Sequence, residues 1–317
     1  MSPHSAPVVS SLRAERWRLR ATNARGFARR FLRRRDGVVG ALILLVFAVV
    51  AIAPQLFVGP LQTATTAVGS AFEGPSDVHL FGTDELGRDL LNLTFHGARI
   101  SMAIGLLATF ITILVGAFIG VVAGFLGGWV DNALMRLTDF FLVLPTFVLA
   151  LILAPVVLDV IGFDAEVFGI RATLVVIVVV IGVTSWATTA RIIRSQTLSI
   201  RERMFVDRAR AIGGGSAHIM RRHIFPNVVN LIVAQAVLTF AVAVFTETTL
   251  SYIGLGDPFA PSWGQILNAA QGAGAPGLGA WWYIAPPAVC VVLVVVAFTL
   301  VGNALDDILN PKGRGRR

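Results

Sequence analysis

Six long apolar runs, separated by polar or basic segments, dominate the pattern of the sequence. A membrane-spanning helix needs roughly 20 predominantly apolar residues, because each residue adds about 1.5 Å across a hydrocarbon core about 30 Å thick. Each run reaches about that length. The pattern therefore predicts an all-α, polytopic membrane protein with six transmembrane helices. The predicted spans are residues 38–57, 100–126, 137–161, 170–189, 228–250 and 284–305.

Composition supports the same class of protein. The 317 residues are 56% hydrophobic, with a mean hydropathy of +0.77, which is more apolar than one soluble core of this length requires. The net charge is +8, and Lys312 is the only lysine. Cys290 is the single cysteine, so an intramolecular disulfide is excluded, and the five histidines lack the spacing of a metal motif. We expect no metal site.

The basic residues alternate between the two sides of the predicted bundle. The segments before the first span, after the second and fourth spans and after the sixth span together contain 23 Lys and Arg residues. The other loops contain three, namely Arg88, Arg99 and Arg171. Positive residues favour the cytoplasmic side of a membrane. We therefore expect a multi-pass protein of the bacterial cytoplasmic (inner) membrane with both termini in the cytoplasm.

Three regions follow from this pattern: a cytoplasmic Arg-rich segment at 1–36, a six-helix domain at 37–305 with a cytoplasmic loop at 190–227, and a cytoplasmic basic tail at 306–317. The N-terminal arginines and the first apolar run also imitate a twin-arginine signal. An uncleaved first span is favoured, because the basic region is long and five further spans follow. Arginines near the membrane surface can also contact anionic lipid.

Four glycines in the second predicted span recur at a spacing of four and form one stripe along a helix: Gly116, Gly120, Gly124 and Gly128. Small residues at this spacing let helix backbones approach closely in lipid. Helix packing is favoured over a hinge role.

Ionisable residues inside spans are costly and are functional candidates. Glu247 lies in the outer part of the fifth span, where it can line a substrate path or brace the loop that follows; the brace is favoured. Arg136 and Asp139, three residues apart at the start of the third span, are expected to share a helix face and pair.

The loop at 190–227 has the pattern of an amphipathic helix, a glycine turn at Gly213, and a short second helix capped by Ser216. Pro226 then restarts the chain at the fifth span. A DNA-binding role is disfavoured because the loop is tethered between spans, and no nucleotide-binding P-loop lysine is present. A docking element for a soluble partner fits best, with Ile219 in an apolar spot on the second helix.

The stretch "DRARAIGGGSAHIMRRHIFP" resembles the EAA coupling motif of ATP-binding-cassette (ABC) importer permeases. Asp207 stands for the Glu of that motif, Arg208 and Ala209 for its two alanines, and Gly213 for its glycine. Its closing Ile, Leu and Pro correspond to His223, Phe225 and Pro226. Asp207 and Arg208 depart from the motif, whereas the spacing from Gly213 to Pro226 is intact.

Further segments resemble the C-type subunit of the dipeptide/oligopeptide (and nickel) branch, among them "FGTDELGRDLLNLTFHGARISM" and "ETTLSYIGLGDPFAPSWGQIL". This resemblance implies the transmembrane domain of a type I ABC importer, non-catalytic and without a cofactor of its own. The expected partners are a second permease subunit, one or two cytoplasmic ATPase subunits that bind ATP and Mg, and an extracytoplasmic substrate-binding protein. The expected ATPase-coupling residues are Asp207, Ala209, Gly213, Ser216, His218, Ile219, Arg221 and Pro226.

The substrate stays open at this stage. Dipeptides and oligopeptides, nickel complexes, glutathione and haem all fit the resemblance. An ion-coupled secondary transporter is the alternative class, but it would need ionisable residues near the midplane or broken helices in related halves. A membrane-embedded hydrolase would need a nucleophile beside a base, and Ser185 and His96 lie on different elements.

Overall fold

A computed structural model describes residues 26, 28–162, 165–167 and 169–309. Within these residues the protein is mainly helical, with one short antiparallel strand pair and an irregular segment at 59–89. The predicted all-α class is confirmed. The elements are α1 Arg35–Ile52, α2 Gln55–Val58, α3 Leu90–Leu126, α4 Gly128–Val143, α5 Thr146–Ile161, β1 Glu166–Val167, β2 Ile170–Arg171, α6 Ala172–Arg201, α7 Met204–Ala211, α8 Ser216–Ile219, π1 Met220–Ile224, α9 Phe225–Leu250, π2 Ser251–Leu255, α10 Trp263–Gly272 and α11 Trp281–Leu309.

Five helical runs in the described residues are long and apolar enough to cross a membrane, and a bent helix pair supplies a sixth crossing if it counts as one span. The bent pair is α4 and α5, which meet at 89°. The prediction of one continuous third span at 137–161 is therefore wrong. Leu144 is extended (φ −78°, ψ 129°) because the ring of Pro145 disfavours helical geometry in the residue before it.

The second span begins ten residues before its predicted start at residue 100. Asp89 caps α3 by accepting hydrogen bonds from the backbone N–H groups of Leu91, at 2.7 Å, and Asn92, at 3.2 Å. These bonds satisfy two of the unpaired N–H groups of the first turn. The polar first turns of α3 pack against the loop that precedes them, where Asn92 donates to the carbonyls of Val58 and Pro60.

The predicted glycine stripe brings α3 into backbone contact with α6. A Cβ atom on Gly116, Gly120 or Gly124 would lie 2.6–2.9 Å from a carbonyl oxygen of α6, closer than van der Waals contact allows. Gly128 does not belong to this stripe. It begins α4 after a left-handed turn (φ 58°), and a Cβ there would meet no atom within 4 Å. Helix packing therefore rests on three glycines.

We expect Gly120→Ala to destabilise the protein, because the new Cβ would lie 2.6 Å from the carbonyl oxygen of Ala190 and push α3 away from α6. The expected loss is about 1–3 kcal/mol, the range for overpacking. Thermal unfolding in detergent measures it. Gly272→Ala is the matched control, since a Cβ at that position meets nothing within 4 Å. Equal melting temperatures for the two variants would contradict the backbone contact.

The first and last long helices pack together near the chain ends. A Cβ on Gly40 of α1 would lie 2.6 Å from the carbonyl oxygen of Ala297 in α11, and Arg34 forms an ion pair with Asp307 at 2.5 Å. Most of the predicted N-terminal segment at 1–36 and of the basic tail at 306–317 lies outside the described residues.

Candidate docking site

The helix of the fourth span extends far beyond its predicted apolar end at residue 189, as the amphipathic pattern indicated. Within the α6 extension, Ile193, Thr197 and Ile200 recur at helical spacing and are fully or almost fully buried. Met204, which continues that spacing in the sequence, instead begins α7 and is 74% exposed. The chain therefore turns at Glu202 and leaves the direction of α6.

Helix α7 presents two different faces. Val206 and Ala209 are buried and belong to an apolar cluster that includes Phe125 of α3, Ile200 of α6 and Ile224 of π1. A small residue is thus required at the second alanine position of the motif, where Ala209 stands.

The opposite face of α7 carries the two residues that depart from the motif. Both Asp207 and Arg208 are exposed, so neither departure disturbs packing. Asp207 lies 3.5 Å from Arg210, at a distance for a weak surface ion pair. The motif departures therefore change the charge of a surface rather than the core.

Gly213 ends α7 in a Schellman motif. The N–H of Gly214 donates to the carbonyl of Ala209 and that of Gly213 to the carbonyl of Arg210, both at 2.9 Å. This turn requires a left-handed residue at Gly213, which has φ 85°. Gly214 is restricted by space, since a Cβ would lie 2.6 Å from the carbonyl oxygen of Ala209, whereas a Cβ on Gly215 meets nothing within 4 Å.

The second helix of the loop differs from its predicted form. Gly215, not Ser216, occupies the N-cap position, and no side-chain cap bond forms. Helix α8 continues through π1 directly into α9, so Pro226 is the second residue of α9 rather than a restart of the chain. The missing N–H of proline removes a helical hydrogen bond, and π1 lies immediately before that position.

Burial also changes which residues of the loop can touch a partner. Ile219, predicted to form an apolar docking spot, is only 1% exposed and packs in the core. The exposed apolar side chains of α7 and its C-cap are instead Met204, Phe205 and Ile212, the last 88% exposed. Met204, Arg208 and Ile212 recur at a spacing of four, so they share one helix face. We call Met204, Phe205, Arg208 and Ile212 the docking surface.

Salt bridges fix the base of the loop to the bundle. Arg194 of α6 holds Asp131 of α4 with two hydrogen bonds of 2.5 and 2.6 Å, an arrangement that fixes the relative orientation of both helices. Arg201 donates to the carbonyl of Phe125 at 3.2 Å and so satisfies the C-terminal end of α3.

The predicted pair of Arg136 and Asp139 is not formed. Asp139 instead pairs with Arg191 of α6, at 2.5 Å. The ion pair therefore connects two helices rather than two turns of one helix, and it adds to the connection between α4 and the start of the loop.

Glu247 lies at the opposite end of the bundle and is completely buried. Its carboxyl group accepts a hydrogen bond of 2.9 Å from Ser251 of π2 and a weaker one of 3.4 Å from Thr248. The hydroxyls of Ser101 in α3 and Ser262, the N-cap of α10, also face it. Three elements thus converge on one carboxyl group, which is the geometry of the favoured brace.

No group of three or more His, Cys, Asp or Glu side chains among the described residues is arranged to hold a metal ion. The histidines of the loop contact aromatic neighbours: His223 lies 6.1 Å from the ring of Phe205 and 6.2 Å from that of His218, measured between centroids.

The membrane-spanning helices, and a loop that exposes apolar side chains at one end of them, define an integral membrane protein. Residues 116–315 match the family model described as "Binding-protein-dependent transport system inner membrane component". The chain belongs to this family, and the resemblance to ABC importer permeases is confirmed.

Relatives of known assignment extend the likeness over most of the chain. The dipeptide transport system permease protein DppC of Bacillus subtilis is 36% identical over 90% of this chain and 85% of its own length. The oligopeptide transport system permease protein OppC is 33% identical in both Bacillus subtilis and Mycobacterium bovis, over 90% and 91% of this chain and 88% and 94% of those proteins.

A solved structure shares the fold. An inward-facing structure of the MetNI methionine ABC transporter superposes with a TM-score of 0.54 at 19% identity, covering 69% of this chain and 95% of that chain. At this identity the likeness concerns architecture alone. The protein therefore has the predicted fold, the transmembrane domain of a type I ABC importer.

Proposed function

We propose that this permease subunit forms half of a translocation path for peptides and couples that path to ATP hydrolysis in a separate subunit. The observation that carries the proposal is the docking surface, which is exposed on a helix, α7, that Val206 and Ala209 anchor in the core. Peptides as substrate are supported by the DppC and OppC relatives, which are named as dipeptide and oligopeptide transport permeases.

The loop is suited to transmit force because it is built rigidly. Val206 and Ala209 hold α7 on the bundle, the Schellman turn at Gly213 fixes the exit of the chain, and α8 is continuous with the fifth span. A movement imposed on the docking surface would therefore move α6 and α9 as well. Closure of two ATPase subunits around ATP would draw two such loops together and switch the path between inward-facing and outward-facing states.

Arg208 determines what kind of groove the docking surface fits. Met204 and Ile212 supply apolar anchors on either side of this positive charge, on one helix face. Apolar anchors inside a charged rim are the usual arrangement of a specific interface. The ATPase groove is therefore expected to have an apolar floor and an acidic side chain opposite Arg208. ATP and Mg²⁺ bind to that subunit and not to this chain.

Reconstituted uptake tests the proposal. The chain is placed in proteoliposomes with a second permease, its ATPase subunits and a substrate-binding protein, and uptake of labelled di- and oligopeptides is compared with that of nickel, glutathione and haem. ATP-dependent peptide uptake is expected. Uptake confined to nickel, glutathione or haem would contradict peptides as the substrate but would leave the ATP-driven import mechanism in place. Uptake driven by an ion gradient without ATP would contradict the function.

The arginine asymmetry predicts the orientation of the loop. A reporter fused after Arg210 is expected in the cytoplasm and one fused after Asp257 outside it. The reason is that 23 of the 26 basic residues lie in segments on the same side of the predicted bundle as Arg210. Paired fusions of alkaline phosphatase and green fluorescent protein measure this directly, since the first is active only outside and the second only inside. Phosphatase activity after Arg210 would reverse the topology.

A further inference from the structure

Two cavities meet on the flank of the loop, away from the docking surface. The first, of about 610 Å³, is an apolar groove between α3 and the start of α9, and its walls include Phe118, Met220 and Phe225. The second, of about 560 Å³, is formed by only five residues: Ala217, His218, Arg221, Arg222 and Pro226. Ala217 and Arg221 line both cavities, so the apolar groove opens directly onto a basic one.

The apolar groove lies on a surface that faces outward from this chain. Phe110, Leu114 and Phe118 recur at a spacing of four on α3 and are each more than half exposed. They belong to the same long helix that crosses the membrane, in its half nearer the loop. Hydrocarbon chains of lipid are the medium that such a surface meets.

The basic cavity is not neutralised by the protein. No acidic residue lines either cavity, and within the described part of the chain neither Arg221 nor Arg222 forms an ion pair. The neighbouring Ile219 and Ile224 are buried, which turns the intervening charged side chains outward. Two arginines and a histidine thus lie at the end of an apolar groove that runs along a membrane-spanning helix.

We propose that this composite site binds an anionic phospholipid, with the phosphate on Arg221, Arg222 and His218 and an acyl chain in the groove along α3. The charges of the basic cavity complement a phosphodiester, and basic pockets between membrane helices are known binding sites for anionic headgroups. Continuity of the two cavities through Ala217 distinguishes a lipid, which needs both, from a soluble anion, which needs only the arginines. The proposal gives His218 and Arg221, which the sequence predicts as ATPase-coupling residues, a lipid-binding role instead. It goes beyond the proposed transport function and does not depend on the substrate.

Phosphatidylglycerol is the probe. The purified full-length chain is placed in phosphatidylcholine nanodiscs, and its preference for spin-labelled phosphatidylglycerol over spin-labelled phosphatidylcholine is measured. The double variant Arg221→Gln/Arg222→Gln is expected to reduce this preference by roughly thirtyfold, the order expected for two arginines at an anionic surface. Ala217→Trp, which leaves every charge in place but fills the junction, is expected to reduce it similarly.

The control is Arg203→Gln/Arg208→Gln, which removes the same charge from exposed positions outside both cavities. It should leave the preference within twofold of the unmodified protein. An equal loss in the control would mean general surface attraction and overturn the site. Displacement of the lipid by millimolar inorganic phosphate, with no effect of Ala217→Trp, would show a simple anion site. Loss of lipid binding when the second permease is added would show a permease interface instead.

Discussion

Gly213→Val is expected to abolish coupling while leaving the protein in the membrane. A β-branched residue is strongly disfavoured at the left-handed φ of 85°, so the Schellman turn must open and α7 must leave its packed position. Uptake should fall at least tenfold, and ATP hydrolysis should lose its stimulation by the loaded binding protein. The measurement is paired uptake and ATPase activity in proteoliposomes, normalised to the abundance of the chain.

Gly215→Val is the matched control for this variant, two residues away in the same turn. Gly215 has φ −68° and ψ 153°, an extended conformation that valine adopts readily, and a Cβ there meets nothing within 4 Å. It should retain uptake and stimulated ATPase activity within twofold. Normal uptake by Gly213→Val at normal abundance would contradict the role of the turn.

Glu247→Leu is expected to have the second largest effect, on stability. The substitution removes the acceptor of the hydroxyls of Ser251 and Thr248 in a fully buried site that Ser101 and Ser262 also face. Each unsatisfied buried group costs about 1–3 kcal/mol, so a total loss of about 2–4 kcal/mol is expected. Thermal unfolding of the purified chain in detergent measures this loss.

The brace and the substrate path make different predictions for this site. Glu247→Gln keeps an oxygen acceptor and should retain most of the stability that Glu247→Leu loses. Thr249→Ala, at a partly exposed neighbour, should cost little. If Glu247→Leu unfolds at the temperature of the unmodified protein but changes which peptides are taken up, Glu247 lines the path and the brace is wrong.

The turn of the loop could be predicted from the sequence because its cause is local. Gly213 must be left-handed to end α7, and that requirement is visible as a glycine after a basic, helical segment. The break in the third span also has a local signal, since Leu144 precedes Pro145, but the apolar run around it concealed the bend.

Contacts between distant elements could not be predicted in the same way. Asp139 and Arg136 share a helix, yet Asp139 pairs with Arg191, 52 residues away, because α4 packs beside α6. The sequence also predicted the wrong exposed apolar residue in the loop. Ile219 and Ile212 are both apolar residues in a basic segment, so their local pattern does not separate them. Packing on the bundle buries Ile219 and leaves Ile212 exposed.

Cross-linking of the docking surface to the ATPase tests the central claim most directly. In a background with Cys290→Ser, which removes the single cysteine, Ile212→Cys and Leu278→Cys place one reactive thiol at opposite ends of the bundle, both at exposed positions. A short bifunctional maleimide is added to the assembled transporter whose ATPase carries one cysteine in its groove. Ile212→Cys should form a cross-linked product whose yield changes with ATP, and Leu278→Cys should form none. A product from Leu278→Cys and none from Ile212→Cys would contradict the account.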